Sequence, residues 1–258
     1  MRVNYGAIFQ EKSKDRTMNG MVNIPSDDSL WPPEWKEIHY KIYDRFPTVD
    51  LLTPQPFNMD QYIYMSRRSC RDFKSISINN QTLSNILYYS AGEIKLKGIR
   101  EKYVSGEVKR MQASGGGRYS IELYVLNFIK GDLEKGVYHY DVRDHKLEYL
   151  WPIDNASSHY MTSDWSDDAA MAIVATTVAN RSTMKYGERA YKYIYMEAGA
   201  ILQNIQTQAM INNVGSVING GTNETVIEDL LDIDGANETV VLGIVLGHVK
   251  YNIKAINK

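Results

Sequence analysis

Four stretches beyond residue 57 place hydrophobic residues at helical spacing. Asparagines precede three of them and are good N-caps, because a short polar side chain can accept hydrogen bonds from the first free backbone N–H groups. The longest stretch repeats apolar residues every three or four positions from Ile194 to Ala209, which predicts a long buried helix. The predicted helices span residues 58–65, 79–92, 191–212 and 223–231.

Five other stretches have the pattern of strands. Residues 121–129 and 170–179 are apolar on both faces, as expected of strands that are covered on both sides. Residues 136–141 and 146–151 flank a short polar turn and predict a hairpin, and residues 239–249 predict the last strand. No βαβ unit with a dinucleotide fingerprint occurs in this mixture. The predicted class is therefore α+β, or a mixed three-layer sandwich.

The first 56 residues differ from the rest, because they contain six of the seven prolines. Proline fixes φ and removes a backbone donor, so we expect neither long helices nor central strands there. Four aromatic residues favour an arm that lies against a surface: Trp31, Trp35, Tyr40 and Tyr43. We divide the chain into an N-terminal arm, residues 1–56, for dimerisation or partner docking, and a folded domain, residues 57–258.

The composition narrows the class of protein. With 258 residues, 43% hydrophobic and 23% charged, the chain is a globular protein and not a disordered one. The net charge of −2 argues against nucleic-acid binding. No apolar run is long enough for a membrane helix, and the start lacks the apolar core of a signal peptide, so we expect a cytoplasmic protein. One cysteine and five histidines without paired spacing predict no metal site.

Arginines are concentrated in the segment SRRSCRDF, residues 66–73. Arg67, Arg68 and Arg71 lie with Ser69 just after a predicted helix, and guanidinium groups bind phosphate bidentately. The alternative is a solvated turn whose charges pair with local acids such as Asp72. No base accompanies the cysteine of this segment, which favours a spectator role for it.

Two further segments carry candidate chemistry. The segment ASGGGRYS, residues 113–120, has three consecutive glycines that allow a ligand to approach the backbone closely, although a flexible loop tip has the same composition. The segment MKYGERAYKY, residues 184–193, contains Lys185 and Tyr186. Free lysine and tyrosine side chains hold their protons at neutral pH, so either needs a special environment to act as a base. The alternative is the polar start of a helix. His139, within a strand, is expected to be packed or hydrogen-bonded rather than a ligand.

In their order along the chain, these segments resemble the SagB-type thiazole/oxazole dehydrogenases, a branch of the FMN-dependent nitroreductase family. RRSCRDF resembles the arginine-serine-arginine opening of that family. RMQASGGGRYSIELYV resembles its Pro-Ser-Gly-Gly-Ala-Leu-Tyr-Pro loop followed by Ile-Glu. KYGERAYKYIYMEAGAILQNIQTQA is similar to its Lys-Tyr pair, which precedes a helix with Glu-x-Gly and Gln-Asn. The resemblance covers residues 57–248.

The resemblance implies a fold and a set of site residues. The fold is a nitroreductase-like three-layer α/β/α sandwich with a central, mainly antiparallel sheet, in an obligate homodimer whose subunits share the FMN cleft. Lys185 and Tyr186 match the catalytic pair. Ala113 and Ser120 replace two prolines of the family pattern, and Arg118 replaces its leucine, which leaves the substrate open. The implied FMN ligands are Arg67, Arg68, Ser69, Arg71, Ser114, Gly115, Gly116, Gly220 and Gly221.

The implied activity is oxidation of thiazoline or oxazoline rings to thiazole or oxazole in a ribosomally synthesised precursor peptide. The implied partner is a cyclodehydratase. Two alternatives to this implied activity stay open. One is an NAD(P)H-dependent flavin reductase acting on dehydroamino acids, nitroaromatics or quinones. The other is a flavin-poor scaffold subunit of a biosynthetic complex.

Overall fold

A computed structural model describes residues 4–12, 14, 27–30, 59–94 and 109–251. Within these residues seven strands form one sheet, in which every neighbouring pair is antiparallel. The strand order is β1-β7-β5-β2-β3-β4, and β6 also pairs with β7. The strands are β1 (Phe73–Lys74), β2 (Ile121–Asn127), β3 (Gly136–Asp141), β4 (Lys146–Trp151), β5 (Met171–Thr177), β6 (Gly215–Asn219) and β7 (Thr239–Val249).

Helices cover both faces of the sheet. They are α1 (Tyr5–Lys12), α2 (Met59–Ser66), α3 (Asn80–Ala91), α4 (Ser157–Met161), α5 (Asn180–Tyr186), α6 (Ala190–Ile211) and α7 (Glu224–Leu231). Short 3-10 turns occupy Asp28–Leu30, Gly115–Gly117, Asp164–Ser166 and Gly187–Arg189. Buried residues of α3 and α6 pack on one face of the sheet, and buried residues of α4 and α7 pack on the other. The predicted three-layer sandwich is confirmed.

The central strands are buried because both faces are covered. Every residue of β5 is buried, and β2 exposes only Glu122 in part. A strand in this position can be apolar on both sides, which is the pattern that predicted it. The hairpin β3–β4 and the long strand β7 also lie where the pattern placed them.

The predicted helices agree with the structure to within a few residues. Asn79 is the N-cap of α3, and its side chain accepts a hydrogen bond from Thr82 N (2.8 Å). Gly92 ends the helix, and its N–H donates to Tyr88 O (2.8 Å). Helix α2 begins at Met59, and its expected N-cap, Asn58, lies outside the described residues.

Five of the described strands and helices are absent from the sequence-based prediction: strands β1 and β6 and helices α1, α4 and α5. Lys185 and Tyr186 lie at the end of α5 rather than at the start of the long helix. The N-terminal segment, expected to be extended, contains the eight-residue helix α1. A helix can form there because the first proline is Pro25. The tryptophans of the arm lie outside the described residues. Among the described helices, none is both long and apolar enough to cross a bilayer.

Candidate active site

The arginine cluster forms an exposed loop between α2 and β1. Cys70 fixes the middle of this loop: its side chain is fully buried, and its N–H donates to Ser216 O of β6 (3.0 Å). Arg67, Arg68, Ser69 and Arg71 are exposed on either side of it. The acid next to them in sequence, Asp72, pairs instead with Lys250 (2.9 Å). Exposed guanidinium groups on a fixed backbone suit an anion such as phosphate.

The glycine loop packs directly on Tyr186. Gly116 has φ +64°, and a Cβ there would overlap the Tyr186 hydroxyl. A Cβ at Gly115 would lie 2.7 Å from Cβ of Tyr193. These two positions therefore require glycine because tyrosine side chains approach the backbone, independently of any ligand. The loop is a packed turn and not a free tip.

Ser114, at the start of the glycine loop, is held by a buried carboxylate. Its Oγ donates to Glu197 Oε2 of α6 (2.6 Å) and accepts from Tyr119 N (2.8 Å). Glu197 is only 3% exposed, and this burial raises the pKa of its carboxyl, although the hydrogen bond from Ser114 opposes the shift. Because the hydroxyl proton of Ser114 points to Glu197, the backbone of the loop is the part left to face a cofactor.

Lys185 and Tyr186 lie side by side at the end of α5. Nζ of Lys185 is 5.3 Å from the centroid of the Tyr186 ring, and that ring contacts Tyr193 edge-on at a centroid distance of 5.1 Å. Gly187 then turns the chain into α6 with φ 55° and ψ −145°, a conformation open only to glycine. Lys185 is exposed and Tyr186 is half-buried. The pair therefore adjoins the glycine loop, with Tyr186 as the link.

A charged network holds α5 in this position. Arg181 of α5 pairs with Glu122 of β2 and donates to Tyr119 O (3.1 Å). Glu122 also contacts His139 of β3 (3.4 Å), which contacts Glu148 of β4 (2.8 Å). The hydrogen bond to Glu122, with help from Glu148, raises the pKa of His139 to about 9. His139 is thus a hydrogen-bonded residue, as predicted.

Gly220 and Gly221 form the turn after β6. Gly220 is exposed, and the space where a Cβ would lie is open. The N–H of Gly221 donates to Asn219 Oδ1 (2.9 Å), and its carbonyl accepts from Thr162. The turn is therefore fixed from both sides, with one open glycine at the surface.

One chain holds the arginine loop and the glycine loop in two separate groups, and the Gly220–Gly221 turn lies between their levels because Asn219 pairs with Gly243. The arginine loop leads into β1, which pairs with the end of β7 at Val249. The glycine loop leads into Ile121 of β2, whose partner Thr177 pairs with Thr239 at the start of β7. Thr239 and Val249 are ten residues apart along β7, and a strand rises ~3.3 Å per residue. The two loops therefore lie at levels of the sheet that are roughly 30 Å apart. That separation exceeds the reach of a single flavin mononucleotide.

The chemistry of each loop nevertheless fits a part of FMN. The arginine loop offers three cationic donors for a phosphate, and the glycine loop offers backbone without side chains beside Tyr186. Gly117, with φ +63°, leaves open space beside the loop, as does Gly220 beside the other turn. These are the features of a site for an anion and a flat ring.

Two important groups received no role from the sequence, although one of them, Glu197, is the glutamate of the Glu-x-Gly pattern in α6. Glu197 follows Ile194 by three positions and precedes Ile201 by four, so its place on the buried face of α6 was a readable signal. Arg181 had no such signal, because its partner Glu122 lies 59 residues away.

Comparisons with known proteins identify two relatives by sequence. A nitroreductase of Methanocaldococcus jannaschii, MJ1384, is 27% identical over 66% of this chain and 83% of its own length. The trifolitoxin-processing protein TfxB of Rhizobium leguminosarum bv. trifolii is 28% identical over 79% of this chain, but the match covers only 56% of TfxB.

Solved structures share the fold at lower identity. A chain of the E. coli microcin synthetase McbBCD complex, with truncated pro-MccB17 bound, has a TM-score of 0.73 at 15% identity, covering 97% of this chain and 95% of that one. A nitroreductase from Desulfovibrio desulfuricans in complex with FMN has a TM-score of 0.52 at 16% identity, over 79% and 93%. The nitroreductase family is an oxidoreductase family that uses FMN. Its family model matches residues 64–248, and the chain therefore belongs to the nitroreductase family.

Proposed function

We propose that this chain is an FMN-dependent dehydrogenase that oxidises thiazoline or oxazoline rings of a peptide to thiazole or oxazole. The observation that carries the proposal is the packing of Tyr186, beside Lys185, against the glycine loop at Gly116. A pair of side chains that can exchange a proton is thereby held next to the backbone expected to face the flavin. The relatives that process trifolitoxin and bind pro-MccB17 support a peptide substrate.

The reaction needs a proton acceptor from the protein. Aromatisation removes a proton from the α-carbon of the ring residue and a hydride from the β-carbon. FMN, when bound, supplies the hydride acceptor and passes the electrons to oxygen. The proton goes to Nζ of Lys185 in its neutral amine form or to the phenolate oxygen of Tyr186, and the other side chain orients the acceptor. Because Lys185 is exposed in one chain, the desolvation this role needs has to come from cofactor, substrate or a second subunit.

We further propose that two copies of the chain share each site. In this arrangement Arg67, Arg68, Ser69 and Arg71 hold the phosphate, and Gly220 and Gly221 of the same chain lie near the ring. The glycine loop, with Ser114, Gly115 and Gly116, would come from the other copy together with its Lys185 and Tyr186. The separation of about 30 Å along one sheet supports this division. A cyclodehydratase that makes the azoline would be the natural partner, and residues 1–56 are candidates for contacts with it or with the second copy.

The test compares Lys185→Ala and Tyr186→Phe with the wild-type protein. Loss of a general base lowers the rate by about 10²–10⁴-fold, so we expect a decrease of that size with FMN retained. The readouts are flavin absorbance and loss of two hydrogen atoms from a thiazoline peptide, measured by mass spectrometry. Lys192→Ala, an exposed lysine on α6, is the matched control.

Other outcomes would select other functions. Full oxidation by both variants would remove the pair from catalysis. Consumption of NADPH by the wild-type protein without peptide would favour the flavin reductase. A folded wild-type protein that does not take up FMN would favour the scaffold subunit.

A further inference from the structure

Buried polar contacts of the N-terminal helix α1, and of Lys14 two residues after its end, attach this segment to the domain. Nζ of Lys14 pairs with Glu228 Oε2 of α7 (3.0 Å), and the two side chains are only 10% and 7% exposed. The same Nζ donates to Gly235 O (3.1 Å). Gln10 donates to Val240 O (3.0 Å) and accepts from the Tyr195 hydroxyl. Removing one partner of a buried ion pair is strongly destabilising, so these contacts hold α1 firmly.

From this attachment α1 runs along α6 toward the candidate active site. Phe9 contacts Tyr195 edge-on at a centroid distance of 6.1 Å, and Gly6 lies so close to the Tyr191 ring that a Cβ would overlap it. Asn4 is the N-cap of α1, and its Oδ1 accepts a hydrogen bond from Ala7 N (3.0 Å). The direction of α1 is therefore fixed at both ends.

Asn4 lies in the wall of a cavity that includes Tyr186. The cavity has a volume of about 490 Å³, and its lining is Asn4, Thr183, Tyr186, Gly187, Glu188 and Arg189. Arg189 is held in place by its Nε, which donates to the Tyr193 hydroxyl (3.0 Å). The cavity thus shares Tyr186 with the glycine loop, and its other walls are the α5–α6 turn and the N-terminal segment.

The lining offers hydrogen-bond donors and acceptors that are complementary to a peptide main chain. The Oδ1 of Asn4 caps α1, which leaves the two N–H groups of its Nδ2 as donors. One of these N–H groups can donate to the Tyr191 hydroxyl, and the other remains for a ligand. Glu188 supplies acceptors, and Arg189 supplies donors in addition to the one used by Tyr193. A peptide on either side of an azoline ring offers alternating carbonyl and N–H groups that such a set would satisfy.

We propose that α1 forms one wall of the substrate site and that Asn4 is a specificity-determining residue that recognises the peptide main chain next to the ring. This inference rests on the function proposed above. In this role α1 is part of the active site of its own chain, which differs from the docking or dimerisation role expected for the arm.

The first experiment separates recognition from helix capping. Asn4→Asp keeps an N-cap oxygen at the start of α1 but removes the N–H donors, whereas Asn4→Ala removes both. For a peptide with one thiazoline between alanines, we expect Asn4→Asp to raise KM several-fold to about tenfold, with kcat and bound FMN unchanged. If Asn4 is only a cap, Asn4→Asp will have the wild-type KM, and this result would overturn the proposal.

The second experiment tests the attachment of α1. Lys14→Met should increase hydrogen exchange at residues 4–12 and raise KM for the same peptide, while FMN content is maintained. Lys130→Met, which removes an exposed ion pair with Glu134, is the matched control. Faster exchange in α1 with an unchanged KM would exclude α1 from the substrate site.

A binding experiment distinguishes this inference from the proposed activity. The probe is the thiazole product peptide, and the readout is protection of residues 4–12 from hydrogen exchange. Protection by a wild-type protein that does not oxidise the thiazoline peptide would support α1 as a binding wall and contradict the dehydrogenase. Oxidation of thiazoline by a wild-type protein in which neither peptide protects α1 would contradict the inference alone.

Discussion

At the scale of single residues, the site depends on a contact between Gly116 and the Tyr186 hydroxyl. Gly116 and Gly117 have nearly the same positive φ, 64° and 63°, but only Gly116 faces a side chain. Gly117→Ala should therefore lower the free energy of unfolding by about 1 kcal/mol, because alanine is strained at a positive φ. Alanine at Gly116 should cost an additional ~1–3 kcal/mol from overlap and displace Tyr186. The measurement is the free energy of unfolding of both variants, with FMN content.

A double variant makes this prediction specific. Tyr186→Phe removes the hydroxyl, so part of the overlap cost of Gly116→Ala should disappear in the Tyr186→Phe background. A coupling energy near zero between the two substitutions would mean that the contact does not determine the loop.

Sequence motifs identified these residues but not their partners. The glycines, Lys185 and Tyr186 lie in short segments that can be read locally. The contact of Ser114 with Glu197 joins residues 83 positions apart, and only the fold brings them together. A charged residue on the apolar face of α6 indicated that some buried partner exists, without indicating which one.

At the scale of elements, the network of β2, β3, β4 and α5 should make stability depend on pH. His139 is held by Glu122 and Glu148, with Arg181 on the far side of Glu122, and its folded pKa is about 9. Since this value is above the unfolded value of ~6.5, the stabilisation is complete below pH 6.5 and is lost as the pH rises through 9. We expect the free energy of unfolding to fall by about 1–3 kcal/mol over this range. Each pKa unit between the folded and unfolded states is worth about 1.4 kcal/mol, and solvent screens part of the interaction because His139 is partly exposed.

The control for this prediction is His139→Gln. Denaturant unfolding from pH 6 to pH 10 should show the decline in the wild-type protein and a flatter profile in the variant, since other titrations are common to both. Parallel profiles would mean that the strands are held together without the charge on His139.

The same network explains why α5 could not be predicted. Its sequence, NRSTMKY, has no apolar periodicity, and its N-cap position, Ala179, has no side-chain cap. The helix is held by Arg181, which contacts Glu122 of β2 and the carbonyl of Tyr119, two residues before that strand. Strand β6 was missed for a related reason: it is short, begins with Gly215 and Ser216, and is specified by pairing with β7. The strongly patterned elements, β2, β5 and α6, were all predicted, because burial alone determines them.

At the scale of the whole molecule, a shared site predicts complementation between two inactive variants. Arg68→Ala/Arg71→Ala removes phosphate ligands from one group, and Tyr186→Phe removes a catalytic hydroxyl from the other. Random pairing gives about half mixed dimers, each with one intact site, so activity should recover to about one quarter of wild type. The measurement is azoline oxidation after unfolding and refolding the two variants together.

The matched control refolds each variant alone. Sites formed within one chain would give no recovery on mixing, and this result would contradict the division of ligands between two copies.

The burial of Cys70 makes the protein well suited to thiol labelling. It is the only cysteine of the chain, its side chain is fully buried, and its backbone is bound to β6. Maleimide reagents need an accessible thiolate, so the wild-type protein provides an unlabelled background. A cysteine introduced at exposed Tyr5 on α1 and another at exposed Met184 on α5 could then carry a donor and an acceptor dye. Energy transfer between them would report in solution whether α1 keeps its distance from α5 during turnover.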